Sequence, residues 1–141
     1  MRSNYSRQAI CLAPSRELAR QIQEVVDKIG QFTDVKTFLA VPQNWKRGVK
    51  IQQHVLIGTP GTLLDMMSRG TTIFDPKLIR VFVLDEADEM IAQQDRGAGL
   101  GDQTLRIKRS VGNRALIMNR ADGQKPATRM PDRALLCYLP G

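Results

Sequence analysis

Three acids, Asp85, Glu86 and Asp88, are the residues of this 141-residue chain best suited to do chemistry. They directly follow the apolar run Val81-Phe82-Val83-Leu84, which reads as a buried strand. Acids at a strand end can serve nucleotide hydrolysis. One stays ionised and accepts hydrogen bonds from metal-bound water, and the next reaches the water beyond the γ-phosphate. The plainer reading puts Glu86 and Asp88 in the first turn of a helix, where acids interact well with its dipole. No Gly-x-x-x-x-Gly-Lys-Ser/Thr phosphate loop occurs in the sequence, so the acids come without the loop that would grip the phosphates.

Two further stretches have a chemistry of their own. In Pro14-Ser15-Arg16-Glu17-Leu18-Ala19, a helix start with open backbone N–H groups and an adjacent arginine could hold a nucleic-acid phosphate. The alternative is a capped helix with Arg16 and Glu17 exposed. Thr59-Pro60-Gly61 offers a second open helix start, where Gly61 would let a phosphate approach the backbone.

The elements that must position these residues follow from the pattern. Ala9 to Ala13 predicts a strand ended by Pro14. Ser15 caps a helix with Leu18, Ile22, Val25, Val26 and Ile29 at helical spacing, stopping at Gly30. Val35 to Val41 predicts a second strand, Asn44 to Gln53 a short helix, and His54 to Gly58 a third strand. Thr59 then caps a helix entered through Pro60, with Leu63, Leu64 and Met67 as its apolar face and Gly70 as its stop. Lys77 to Leu84 predicts the fourth strand, and Glu86 to Gln93 starts another helix. Alternating strands and helices imply parallel pairing, because each parallel connection needs a crossover. Strands this apolar imply a sheet covered on both faces. Pro14, Thr59 and Asp85 each follow a strand directly, so all three belong on the carboxyl edge of the sheet, where such folds bind ligands. Residues 97–101 read as a glycine-rich loop and Thr104 to Val111 as a basic helix. From Gly112 onward little periodicity remains, with Ala134 to Leu139 an isolated apolar run.

Composition narrows the class. The length suits one domain, and 42% hydrophobic with 25% charged residues is ordinary for a soluble globular protein. No apolar run approaches the ~20 residues of a membrane span, and the polar start has no signal-peptide character, so cytosol or nucleus is expected. The net charge of +7 is concentrated at one end. Residues 1–103 hold 13 Lys/Arg against 12 Asp/Glu, whereas residues 104–141 hold 8 against 2. That tail either contacts RNA or is a solvated segment. Cys11 and Cys137 lack metal-ligand spacing, and Cys11 reads as a small core residue. Trp45, beside Lys46 and Arg47, either stacks on a base or anchors a short helix. His54 reads as structural or exposed, and Met66, Met67 and Met90 as core filler.

Together and in this order, the three motifs resemble the N-terminal RecA-like core domain of DEAD-box RNA helicases, over about residues 8 to 109. Pro-Ser-Arg-Glu-Leu-Ala is similar to that family's motif Ia, Thr-Pro-Gly to motif Ib and Asp-Glu-Ala-Asp to motif II. Ala9 to Ser15, Val41-Pro42 and Gly99-Leu100-Gly101-Asp102-Gln103 with Arg106-Ile107-Lys108-Arg109 resemble the branch acting in messenger-RNA export at the nuclear pore.

The resemblance implies an incomplete RecA-like (P-loop NTPase type) α/β fold, a parallel sheet with helices on both faces and the phosphate-loop strand missing. It implies ATP and Mg²⁺ as cofactors, with Asp85 holding Mg²⁺ through water. Glu86 would orient or deprotonate the attacking water, and Asp88 would link the nucleotide site to the RNA-responsive parts. Pro14, Ser15, Arg16, Thr59, Pro60 and Gly61 would form the RNA-contacting set, reading backbone rather than base. RNA is the implied partner, with nuclear-pore or export factors besides, and the nuclear pore the implied location.

The departures are equally specific. Thr62 stands where most members have Arg. The adenine-reading segment, the phosphate loop and the second core domain have no counterpart. Ser-Ala-Thr should follow a strand after Arg109, but the text does not return to the pattern. The expected division is therefore residues 1–109 as a partial core domain and 110–141 as a divergent, irregular basic tail. In the family the phosphate-loop strand lies beside the motif II strand, so a gap is expected there. The chain then reads as an inactive fragment of an ATP-dependent RNA helicase. The alternatives are a non-catalytic RNA- or protein-binding module and an unrelated α/β ligand-binding domain.

Overall fold

The computed structural model describes residues 9–46, 48–69, 75–91, 99–112 and 115–118. Their chain order is β1 (Ala9–Leu12), α1 (Arg16–Gly30), β2 (Thr37–Ala40), β3 (Val55–Gly58), α2 (Pro60–Ser68), a 3-10 turn (Pro76–Leu78), β4 (Val81–Leu84), α3 (Ala87–Ile91), α4 (Leu100–Val111) and β5 (Ala115–Met118). The strands form one sheet in the order β2-β3-β1-β4-β5. Every pairing is parallel. The expected α/β architecture is therefore present.

Strand alternation splits the core in two. Ile10, Leu12, Leu56, Phe82 and Leu84 face one side, where Leu63 and Met66 of α2, Met90 of α3 and Ile107 and Val111 of α4 pack on them. Cys11, Ala13, Leu39, Val41 and Ile57 face the other side, against Ala19 and the half-buried Leu18, Ile22 and Val26 of α1. Helices thus cover both faces, though unequally. On the α1 side Val25 is 55% exposed and Ile29 77%. The apolar spacing of α1 therefore exceeds the surface it covers.

Several local expectations need correction. No helix forms across Asn44 to Gln53 among the described residues. The chain turns after Val41, and Gly48 sits at φ 81°, outside helical geometry. Lys77 and Leu78 belong to the 3-10 turn rather than to the fourth strand, because the Asp75 carboxylate accepts from the Lys77 N–H at 2.9 Å and holds that turn. Leu100 and Gly101 lie in α4 rather than in a loop, while 97 and 98 fall outside the described residues, as do Gly70 and residues 92–93.

The irregular stretch expected from residue 110 does not hold where it is described. Ser110 and Val111 complete α4, which ends at Gly112 with φ 76°, and residues 115–118 form β5. Residues 119–141, including the 134–139 run, lie outside the described residues. The expected gap beside β4 is also absent: β4 is paired with β1 on one side and β5 on the other. A further strand could add only at an edge of this sheet.

Candidate functional site

The three motif loops leave the same rim of the sheet and are tied to one another by main chain. Ala13 N–H donates to the Gly58 carbonyl at 3.0 Å, and Asp85 N–H donates to the Leu12 carbonyl at 2.9 Å. The chain leaving β1 is thus bonded to the end of β3, and the start of the acidic loop to the end of β1. Gly58 makes this closeness possible. A Cβ built there would lie 2.7 Å from the Ala40 Cβ and closer still to the Ala40 carbonyl oxygen, so no larger residue fits without backbone movement. The need for glycine at Gly58 was invisible in sequence, because it arises from the neighbouring strand.

On the acidic loop, Asp85, Glu86 and Asp88 are each partly buried. Glu86 holds φ 49°, a left-handed conformation rare for a side-chain-bearing residue and characteristic of functional turns. It turns the chain from β4 into α3, whose Met90 N–H donates to the Glu86 carbonyl at 3.1 Å. The Glu86 carboxyl is pushed above the ordinary carboxylate range, first by a hydrogen bond with Glu89, then by partial desolvation and by the charges of Glu89, Asp85 and Asp88. Asp88 Oδ1 is buried without a hydrogen-bond partner. Crowded negative charge and an orphaned carboxylate oxygen are features that a cation and its water shell would relieve. Among the described residues no three His, Cys, Asp or Glu side chains converge to ligate a metal directly. The negative charge gathered on this loop suits a hydrated cation.

The two helix starts differ in detail. At α1 the Ser15 hydroxyl accepts from the Leu18 N–H at 3.2 Å, the expected cap. Arg16 and Glu17 are exposed in the first turn, where backbone N–H groups have no intrahelical acceptor. At α2 Thr59 occupies the cap position, but its side chain does not cap. Its hydroxyl instead meets the Thr62 hydroxyl at 3.4 Å. Gly61 is exposed, has no positive φ, and an added Cβ would only touch the flexible Gln103 side chain at 3.5 Å. Packing therefore does not demand glycine there, although glycine weakens a helix by ~0.5–1 kcal/mol relative to alanine.

The lesser residues are largely structural. Burial, then the Asp85 charge, pushes the Cys11 thiol up to about 12, which keeps it an inert core residue. His54 Nδ1 accepts from the Lys36 N–H at 3.0 Å. Met66 and Met90 are fully buried. Trp45 packs against the larger core cluster without a helix to anchor. Sequence reading missed its partners, Asp65 and Arg69, although their i,i+4 spacing was a usable signal.

The model of the DEAD/DEAH box helicase family matches residues 2–119. The chain belongs to that family. It is 54% identical over 101 residues to the ATP-dependent RNA helicase dbp5 of Schizosaccharomyces pombe, covering 72% of this chain and 19% of that protein. It is 52% identical over 104 residues to DBP5 of Saccharomyces cerevisiae (strain ATCC 204508 / S288c), covering 74% and 20%. The chain thus spans about a fifth of the length of these curated relatives. S. cerevisiae Dbp5 bound to RNA and ADP BeF3 superposes with a TM-score of 0.72 at 48% identity, over 80% of this chain and 28% of that one. A Dbp5 variant bound to Nup159, a Gle1 variant, IP6 and ADP superposes at 0.77 with 40% identity, over 97% and 36%. The family match runs past the expected limit at residue 109 and takes in β5. The departure from the family pattern at Ser-Ala-Thr thus falls after that strand, where the sequence reads Asn119-Arg120-Ala121.

Proposed function

We propose that this chain carries the RNA-backbone-gripping and acid-bearing part of an ATP-dependent RNA helicase, and that by itself it binds RNA without hydrolysing ATP. The observation that carries the reading is the pair of main-chain hydrogen bonds, Ala13 to Gly58 and Asp85 to Leu12, joining the three motif loops at one rim. RNA phosphates would sit at the starts of α1 and α2, on the N–H groups flanked by Pro14, Ser15 and Arg16 and by Thr59, Pro60 and Gly61. Asp85 would hold Mg²⁺ through water, Glu86 would orient or deprotonate the attacking water, and Asp88 would couple the two regions. Mg–ATP, when bound, would supply the phosphoryl group. Positioning of that group contributes most of the catalysis in phosphoryl transfer. No phosphate-loop motif stands in these 141 residues to provide it.

The resemblance to Dbp5, and the Dbp5 complex containing Nup159 and Gle1, favour export factors at the nuclear pore as partners and a nuclear or cytoplasmic location. The second reading, a module that binds RNA through its basic tail alone, rests on the charge excess after residue 103. A salt titration of RNA binding separates the two. The chain ended after Met118 should keep a measurable salt slope, and Arg16→Ala should reduce it by about one. Loss of all binding on removing 119–141 would favour the tail.

A further inference from the structure

Along α1, Val25 and Ile29 stand four residues apart, and Phe32 continues the same line three residues on. All three are more than half exposed. Their i, i+4, i+7 spacing sets them in one ridge. The opposite flank fixes which way that ridge faces. There Gln23 donates to the Thr37 hydroxyl of β2 at 3.1 Å, and that hydroxyl donates to the Asp27 carboxylate at 2.6 Å. The ridge therefore faces away from β2, toward the part of the sheet where Val81 and Val83 of β4 are only half-buried. Phe32 sits on a bonded turn rather than a loose end. The Gly30 carbonyl accepts from the Thr33 N–H at 2.9 Å and from the Thr33 hydroxyl at 2.8 Å, and the Val35 N–H donates to that hydroxyl at 3.3 Å. Local bonds thus hold a large apolar ring out in water.

We propose that a second copy of this chain covers the ridge, with the C-terminal halves of the two α1 helices packed together about a twofold axis. Area and charge both favour a copy. The three side chains expose roughly 400 Å² of apolar surface, the size of the largest and often functional patch on a typical monomer. An interface about three-fifths apolar around that ridge would cover roughly 700 Å² per copy, close to the ~800 Å² per partner of a standard specific interface. The exposed charges beside the ridge, Glu24, Lys28, Asp34 and Lys36, alternate in sign along the chain and sum to zero. Such a surface offers no field to RNA or to a strongly charged partner. It also does not repel itself, although the whole chain carries +7. A twofold contact requires this, because the same patch serves both sides. The helix rises ~20 Å from Arg16 to Ile29, so the carboxyl rim of each copy stays open and a dimer carries two RNA grips.

The test contains no RNA, so its outcome is independent of the RNA reading above. The full chain is followed by sedimentation velocity from about 1 to 100 μM, the range in which an interface of this modest size should form. The proposal expects a reversible shift from one copy to two, with a plateau at two. Ile29→Lys and Phe32→Lys, at exposed positions, should each weaken the dimer at least tenfold and leave circular dichroism unchanged. Leu78→Lys, at an exposed apolar position in the 3-10 turn, should leave the dimer as it was. Ridge variants that dimerise as the parent does, or a mass that grows past two copies without a plateau, would overturn the proposal. So would a chain that stays monomeric throughout, whether its ridge is bare or covered by its own tail.

Discussion

The two faces of the sheet are built differently. Three helices close one face, and their contacts there, among them Leu63, Met66, Met90 and Ile107, are fully buried against Ile10, Leu12 and Phe82. One helix covers the other, and it leaves Ile29 and the Phe32 that follows it 77% and 90% exposed. On that side Val81 and Val83 of β4 are only half-buried. The closed face therefore holds the fold, and the α1 face contributes less per apolar residue. Both motif helices nonetheless start from the same rim, because their placement depends on strand ends rather than on how much of each helix is covered.

The sharpest way to break this comparison is to truncate one large apolar side chain on each side. Phe82→Ala should cost about 3–5 kcal/mol in denaturant unfolding, the range for a large core truncation. Ile29→Ala should stay within about 0.5 kcal/mol. Equal losses would mean that the α1 face is as well packed as the other. Gly58→Ala probes the rim itself. Its Cβ would meet Ala40, so a destabilisation of about 1–3 kcal/mol is expected, together with weaker RNA binding as the loops separate.

Gly61→Ala separates fold from function in the opposite direction. It should stabilise the chain by about 0.5–1 kcal/mol, since packing tolerates the methyl group, and weaken RNA binding, since the phosphate approach is blocked. Stabilisation with unchanged binding would remove Gly61 from the RNA surface.

The smallest effect concerns charge. The raised Glu86 carboxyl means that ionising it costs folded-state stability. The penalty is absent below the ordinary value of 4.5, where the group is protonated in both states, and appears as pH rises through the folded value. Glu86→Gln should thus gain slight stability at pH 7 and none near pH 3, measurable by thermal melts at both.

The carboxyl rim was legible in sequence because each motif directly follows an apolar run, and strand ends in a parallel sheet share one edge. α1 was legible because Ser15 and the spacing from Leu18 to Val26 agree. The failures have physical causes too. Between residues 44 and 53, Trp45 and Val49 stand at the i,i+4 spacing of a helix, yet Gly48 takes a positive φ and Val49 is 55% exposed, while Trp45 and Ile51 face the core. β5 is four apolar residues inside a basic segment, and unlike the equally short β4 it is followed by no motif that marks a strand end. Its place is set by pairing with β4. The strain at Glu86 and the Trp45–Arg69–Asp65 group arise from contacts between elements, which composition and spacing do not carry.

The central claim is that this chain holds the acids and the RNA grip of a helicase without the loop that positions ATP. The most direct test measures ATP hydrolysis, with and without RNA, on a preparation shown in the same tube to bind RNA. The account predicts RNA binding with no RNA-stimulated turnover. Turnover that Glu86→Gln abolishes would contradict it.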